Sequence, residues 1–167
     1  MAFYFTTPRI GAQPLGNVQT TQSTAHRLME EVMATDGTYG STFMYVKASA
    51  AILQYDTVWV KITGFAAKIT DTLAKTPGHV GFAQVAFAAD EYGWVMRTGN
   101  PTVRLTSATE KNVALYVNAS AGVLSGATAS SEVLGIVAVT SVTTTVGAVA
   151  CIASFPVVMR AASLTQI

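Results

Sequence analysis

Fifty of the 167 residues are β-branched: 20 Val, 23 Thr and 7 Ile. Two heavy atoms on Cβ stiffen χ1 and crowd a helix, whereas a pleated surface accommodates them, so the chain is expected to be mostly strand. Its length suits one domain with one core. Asp36-Gly37, Pro77-Gly78, Asn100-Pro101, Gly122 and Gly126 punctuate it at short intervals in a rhythm of strand, turn, strand. The expected fold class is all-β: a small antiparallel β-barrel or sandwich with an extended N-terminal arm.

Residues 56–63 alternate most clearly. Val58, Val60 and Ile62 fall on one side, expected to face the core; Trp59, Lys61 and Thr63 fall on the other, expected to face away from it. Residues 102–106 and 112–118 repeat the pattern, the latter with Val113, Leu115 and Val117 inward. Residues 80–88, 133–139 and 146–152 are apolar on both faces, as in strands covered by a core on one side and another layer or subunit on the other. Between 25 and 33, Ala25, Leu28, Met29, Val32 and Met33 keep the i, i+3, i+4 spacing of a short helix, with an irregular extended path as the alternative.

Residues 1–24 differ from the body, residues 25–167. Pro8 and Pro14 cannot donate backbone hydrogen bonds, and ordering Gly11 and Gly16 costs backbone entropy, so the segment is expected to be an arm that orders only against a partner. Phe3, Tyr4, Phe5, Ile10, Leu15 and Val18 are its candidate contacts with a partner or a neighbouring copy, and Trp59 is the body's. For Trp59 the competing reading is a second core layer within the monomer. On the arm reading, removing residues 1–24 leaves a folded body.

Charge narrows the partners. Ten basic and nine acidic residues give +1 with no cationic run, so the phosphate neutralisation that nucleic-acid binding needs is missing. Only 11% of residues are charged, and much of the surface must be Thr, Ser, Ala and Gly. The start of the chain lacks the basic-then-apolar pattern of a secretory signal. Residues 133–159 carry no charge, but the hydroxylated run at 140–145 and Pro156 argue against a membrane span.

No chemistry converges. His26 or His79 with Asp56, Asp71 or Asp90 would need a serine in a Gly-x-Ser-x-Gly turn, which is absent. Two isolated histidines and the lone Cys151 make a poor metal site and allow no intrachain disulfide. Asp90 and Glu91 are adjacent, so on a strand they point to opposite faces and cannot flank one glycosidic bond. Gly122-Val-Leu-Ser-Gly126 lacks the Lys of a phosphate loop, and Asn118-Ala-Ser120 is a sequon with no sign of secretion around it. Neither catalysis, metal nor cofactor is expected.

From Gly78 to Pro156 the order of motifs resembles the β-barrel capsid-decoration (cement, head-stabilising) proteins of tailed bacteriophages. The motifs are Gly81-Phe-Ala-Gln-Val-Ala, Asp90-Glu-Tyr-Gly-Trp-Val95, Thr98-Gly-Asn100, Asn112-Val-Ala-Leu-Tyr116, Gly122-Val-Leu124 and Leu134-Gly-Ile136. Upstream, Asp36-Gly-Thr-Tyr-Gly and Phe43-Met-Tyr-Val-Lys47 suit the same family. The resemblance covers about two thirds of the chain. It implies a virion protein made in the host cytoplasm and carried on the outer capsid surface, binding the major capsid protein and itself as a homo-oligomer, a trimer by family habit. The alternative is a carbohydrate-binding module with Trp59 and Tyr116 as a sugar platform.

Because Cys151 has no partner and no metal cluster is visible, the melting temperature of this β-rich domain is expected to be the same with and without reductant or chelator. Differential scanning fluorimetry in dithiothreitol and in EDTA checks this, and a collapse in either would contradict it.

Overall fold

The structure, a computed structural model, describes residues 4–5, 14–35, 40–127, 131–143 and 145–159. It is almost all β, with one four-residue helix, α1 (Asp71–Ala74), whose Thr70 cap accepts a hydrogen bond from Leu73 N–H. The strands divide into two sheets along the chain, each closed on itself.

The first sheet holds β1 (Tyr4–Phe5), β2 (Glu31–Thr35), β3 (Gly40–Ala48), β4 (Thr57–Lys61), β5 (Phe65–Lys68), β6 (Gly78–Phe82) and β7 (Tyr92–Met96). It closes as β3–β5–β4–β6–β7 with β7 returning to β3, while β1 and β2 extend it beyond β3. All of its pairings are antiparallel except β3 with β5. Met44, Val46, Val58, Val60, Ala66 and Val95 form one buried cluster with Ile52, Ala83 and Phe87. The barrel is narrow: a Cβ on Gly81 would sit 2.9 Å from Val95 Cγ2, so this position has room for a glycine only.

The alternate residues of the same strands, Phe43, Tyr45, Trp59, Val80, Phe82, Trp94 and Met96, are buried as well. They belong to a second cluster that continues into the other sheet. With both faces covered, the strands read as nearly continuous apolar runs. This corrects the expectation for Trp59: its side of β4 is core too, and the second-layer reading holds. Ile62, expected inward, lies beyond the end of β4 and is 71% exposed.

The second sheet holds β8 (Thr98–Gly99), β9 (Thr102–Leu105), β10 (Leu115–Val117), β11 (Leu124–Ser125), β12 (Glu132–Ala138) and β13 (Gly147–Met159). It closes as β12–β10–β11–β9–β13 with β13 returning to β12, and β8 pairs with β13. Val103, Leu105, Leu115, Val117, Leu124, Val133, Ala138 and Cys151 are buried in its core. Burial pushes the Cys151 thiol up to about 12, so it stays protonated and inert at neutral pH.

Two further expectations are corrected. Residues 25–33 take the irregular extended path, turns and then β2, rather than the short helix, with Met29 in a left-handed conformation at φ 68°. Its N–H donates to Tyr45 O and Glu30 O accepts from Tyr45 N–H, so this backbone is committed to β3. Nor do the described parts of residues 1–24 stand apart from the body: β1 pairs with β2, Gln19 bridges to Tyr92, and Leu15 lies in the core. Deleting the segment therefore removes core side chains as well as reach.

The barrels meet at Asp56, which is fully buried. Arg104 Nη1, from β9, donates to Oδ1 at 2.7 Å, and Lys68 Nζ, from β5, lies 3.4 Å from Oδ2. Leu53 N–H also donates to Oδ2 at 2.8 Å. Around this carboxylate the backbones cross-link: Arg104 N–H to Tyr55 O, Thr57 N–H to Gly122 O, and Gly122 N–H to Ile69 O. Gly122 is required here, since φ is 81° and a Cβ would fall 2.7 Å from Asp56 Cγ. Asp56→Ala is expected to lower unfolding free energy by about 3 kcal/mol, the low end for a broken buried pair because Arg104 and Lys68 keep 28% and 27% of their side chains exposed. Asp56→Asn, which can still accept from Leu53 N–H, is expected to lose less; urea titration of both variants checks the order.

Candidate interaction surface

The histidines and carboxylates are dispersed, and among them both ring nitrogens of the buried His26 lack a hydrogen-bond partner. His26 is buried with its ring against Phe5, Tyr45 and Trp94, and its Nδ1 lies 3.4 Å from Glu30 Oε2. His79 is half-buried on β6; burial and the Arg97 charge pull its pKa down, with Glu31 opposing. Asp56 is the inter-barrel anchor, and Asp71 pairs with Lys75 at 2.8 Å on the surface of α1. Asp90 pairs with Lys47 at 2.8 Å, and that hydrogen bond raises the Lys47 pKa. Glu91 accepts from Ala88 N–H, so the two adjacent carboxylates shape a turn. Among the described residues no group of three or more His, Cys, Asp or Glu is placed to hold a metal ion, and no helix is long and apolar enough to cross a membrane. Thr24, Ala25 and residues 27–30 line an open depression of about 430 Å³ whose only titratable groups are Arg27 and Glu30.

The six arm candidates separate. Phe3 and Ile10 lie outside the described residues, and of Tyr4 only the backbone pairing with Thr35 is described. Phe5 packs edge-on against Trp94 with centroids 5.6 Å apart, Leu15 is buried, and Val18 leans on the interior cluster of the first barrel. The structure thus turns Phe5, Leu15 and Val18 toward the chain's own body. Trp59 has the same fate: it is buried, Nε1 donates to Thr76 Oγ1 at 3.0 Å, and a Cβ on Gly78 would lie 2.6 Å from its ring. A sugar platform therefore loses one of its two aromatics, leaving Tyr116 half-buried on β10.

Of the large apolar side chains that remain exposed, Met33, Leu53, Ile62 and Phe65 belong to the first barrel's part of the chain, whereas Val139, Val146, Ile152, Phe155, Val157 and Met159 lie on or beside β13. Along β13 the even-numbered residues Ala148, Ala150, Ile152 and Ser154 are exposed while Cys151 and Ala153 are buried. At Phe155 the phase changes: Phe155, Val157 and Met159 are exposed and Pro156 is buried. A bulge causes the shift. Phe155 has φ 44°, the register against β12 slips between Leu134 and Ile136, and Gly135 opposite has φ 78°. A Cβ on Gly135 would lie 2.7 Å from Ser154 O, so the bulge depends on this glycine. The Phe155 ring rests 5.6 Å from the Arg97 guanidinium, itself buried and paired with Glu31 at 3.0 Å. Burial lowers the Arg97 pKa, with Glu31 opposing.

The face was only partly legible. The charge-free run 133–159 marked it, but uninterrupted apolarity does not say which residues point out; the bulge decides that for the last five. Alternation placed Trp59 on the side away from Val58 and Val60, with a second core layer as the competing reading; the structure buries Trp59 and exposes Phe65 and Phe155.

A scan against protein-family models finds no match to the chain, and a search of curated proteins finds none either.

Trp59→Ala is expected to cost about 3–5 kcal/mol of stability, as for other buried aromatics cut to alanine. Denaturant unfolding measures it, with Trp59→Phe expected to recover most of the loss. A stable Trp59→Ala protein with impaired association would return Trp59 to the surface.

Proposed function

We propose that this protein is a structural binding protein, a decoration protein that attaches to the outer surface of a tailed-phage capsid across neighbouring major capsid subunits and stabilises the shell. The observation that carries the reading is the outward face of β13, where Ile152, Phe155, Val157 and Met159 are exposed to water, within a stretch, residues 133–159, that has no formal charge. Such a surface suits a protein that works in contact with others. The motifs that resemble decoration proteins support it from both barrels: Gly81 to Val95 in the first, Asn112 to Ile136 in the second. Binding the assembled shell in preference to its separated subunits stabilises the shell by mass action, and display in many copies lets modest contacts suffice.

The test is cosedimentation with empty shells assembled from the major capsid protein of the same virus, followed by thermal disruption of the decorated and bare shells. Saturable pelleting and a higher disruption temperature are expected. No pelleting at tens of micromolar protein would defeat the reading, and saturable retention on a glycan array would favour the carbohydrate-binding alternative.

A further inference from the structure

We propose that residues 24–30 are a cap, held within the chain over the surface on which the exposed turn 110–114 of a second copy would join two chains head to tail. The surfaces involved are distinct from the β13 face and independent of a capsid.

The second barrel repeats the first. Taking β3 to β7 and β9 to β13 in chain order, the first strand of each barrel pairs in parallel with the third. The third then pairs with the second, the second with the fourth, the fourth with the fifth and the fifth with the first, all antiparallel. Details recur in the same order. The bridge from Ile52 to Phe87 has its counterpart in the bridge from Thr109 to Val142. Tyr55, left-handed at φ 69°, donates its N–H to Ala83 O, and Asn112, left-handed at φ 59°, donates its N–H to Ala138 O. The turn between second and third strands carries Gly64 at φ 84° in one barrel and Gly122 at φ 81° in the other. Val46 opposite Gly93 matches Leu105 opposite Gly147, so Tyr45 and Arg104 hold the same place, and residues 53–57 correspond to 110–114.

One contact is made twice along this repeat. The barrels join where residues 53–57 of the first meet the first strand and glycine turn of the second: Arg104 N–H donates to Tyr55 O at 2.9 Å, and a Cβ on Gly122 would lie 2.7 Å from Asp56 Cγ. On the first barrel the same place is taken by residues 24–30. Tyr45 N–H donates to Glu30 O at 2.9 Å, beside Met29 at φ 68°, and a Cβ on Gly64 would lie 2.5 Å from Leu28 Cβ. A short turn stands where a preceding barrel would, as caps do at the ends of repeat arrays. The other end of the series is open. Asp56 and Thr57 are fully buried in the junction, whereas their counterparts Val113 and Ala114 are half-buried and exposed. The surface that matches this open turn is the first barrel of a second copy. Val113 stands for Asp56 and Tyr45 for Arg104, so that joint strands no charge, and Val113 meets Gly64 as Leu28 does. Glu110 and Lys111 correspond to Leu53 and Gln54, which stay exposed at the existing junction. A contact between two unlike surfaces can repeat from copy to copy, and the cap prevents it.

The test is sedimentation velocity of the full chain from about 5 to 100 µM, with the wild-type mass at each concentration as the baseline. Leu28→Asp sets a carboxylate in the apolar contact with Gly64 and is expected to lift the cap, so that the mass climbs with concentration to about twice the baseline or more. Ala114→Arg, a change at an exposed position of the open turn, is expected to return the Leu28→Asp protein to the baseline. A peptide of residues 20–32 in excess is expected to do the same by refilling the place of the cap. Should Leu28→Asp lose its cooperative melt, Leu28→Ser removes the same contact more gently and is read in the same way. A lifted cap with the mass still at the baseline overturns the proposal, and so does growth that persists with Ala114→Arg, which would be indiscriminate sticking of the uncovered Tyr45 face. A wild-type mass that itself falls on Ala114→Arg also overturns it, because the joint would then form with the cap in place.

Discussion

Asp56 is a carboxylate without water, and the arrangement of the two barrels depends on how it is satisfied. It sits immediately before β4 in the first barrel, and its strongest partner, Arg104, belongs to the second. A buried charge is tolerated only when it is paired and hydrogen-bonded, so separating the barrels would either expose Asp56 or strand it. The backbone bonds around it, together with those between Gln84 and Thr102, fix the relative position of the two sheets. The contribution is one of geometry as much as energy: apolar packing can slide, whereas an ion pair flanked by backbone hydrogen bonds has one satisfactory arrangement.

Once the barrels are locked, their surfaces have different fates. The outer face of the first carries Tyr45, Trp59 and Trp94, and these are buried beneath the N-terminal segment, α1 and the second barrel. The outer face of β13 carries Ile152, Phe155, Val157 and Met159, and nothing among the described residues covers it. Both faces are apolar in sequence, but one has been covered by the fold and the other is exposed. A bulge built on Gly135 and Phe155 sets which side chains point outward there.

The errors in reading the chain have specific causes. Trp59 alternates with Val58 and Val60, and alternation shows that two sides differ without showing that one is wet. At 25–33 the helical spacing was real, yet Met29 and Glu30 exchange backbone hydrogen bonds with Tyr45, and long-range pairing outweighs a weak local preference. Leu15 lies among prolines and glycines that suit an arm, but Leu15 fills a core site, Phe5 and Val18 pack beside it on the body's clusters, and Gln19 exchanges backbone hydrogen bonds with Tyr92, so the segment is held on the body.

The sequence by itself determined the all-β class, the poverty of charge and the charge-free stretch at 133–159, because β-branched content and charge act residue by residue; the expected Asp36-Gly37 turn lies outside the described residues. Only the tertiary structure decided that the strands close into two barrels, that Asp56 joins them, and that Trp59 is buried while Phe155 is exposed. Closure depends on which distant strands pair, and exposure on what is laid over a strand afterwards. Both are relations between segments, and an alternating pattern within one segment does not contain them.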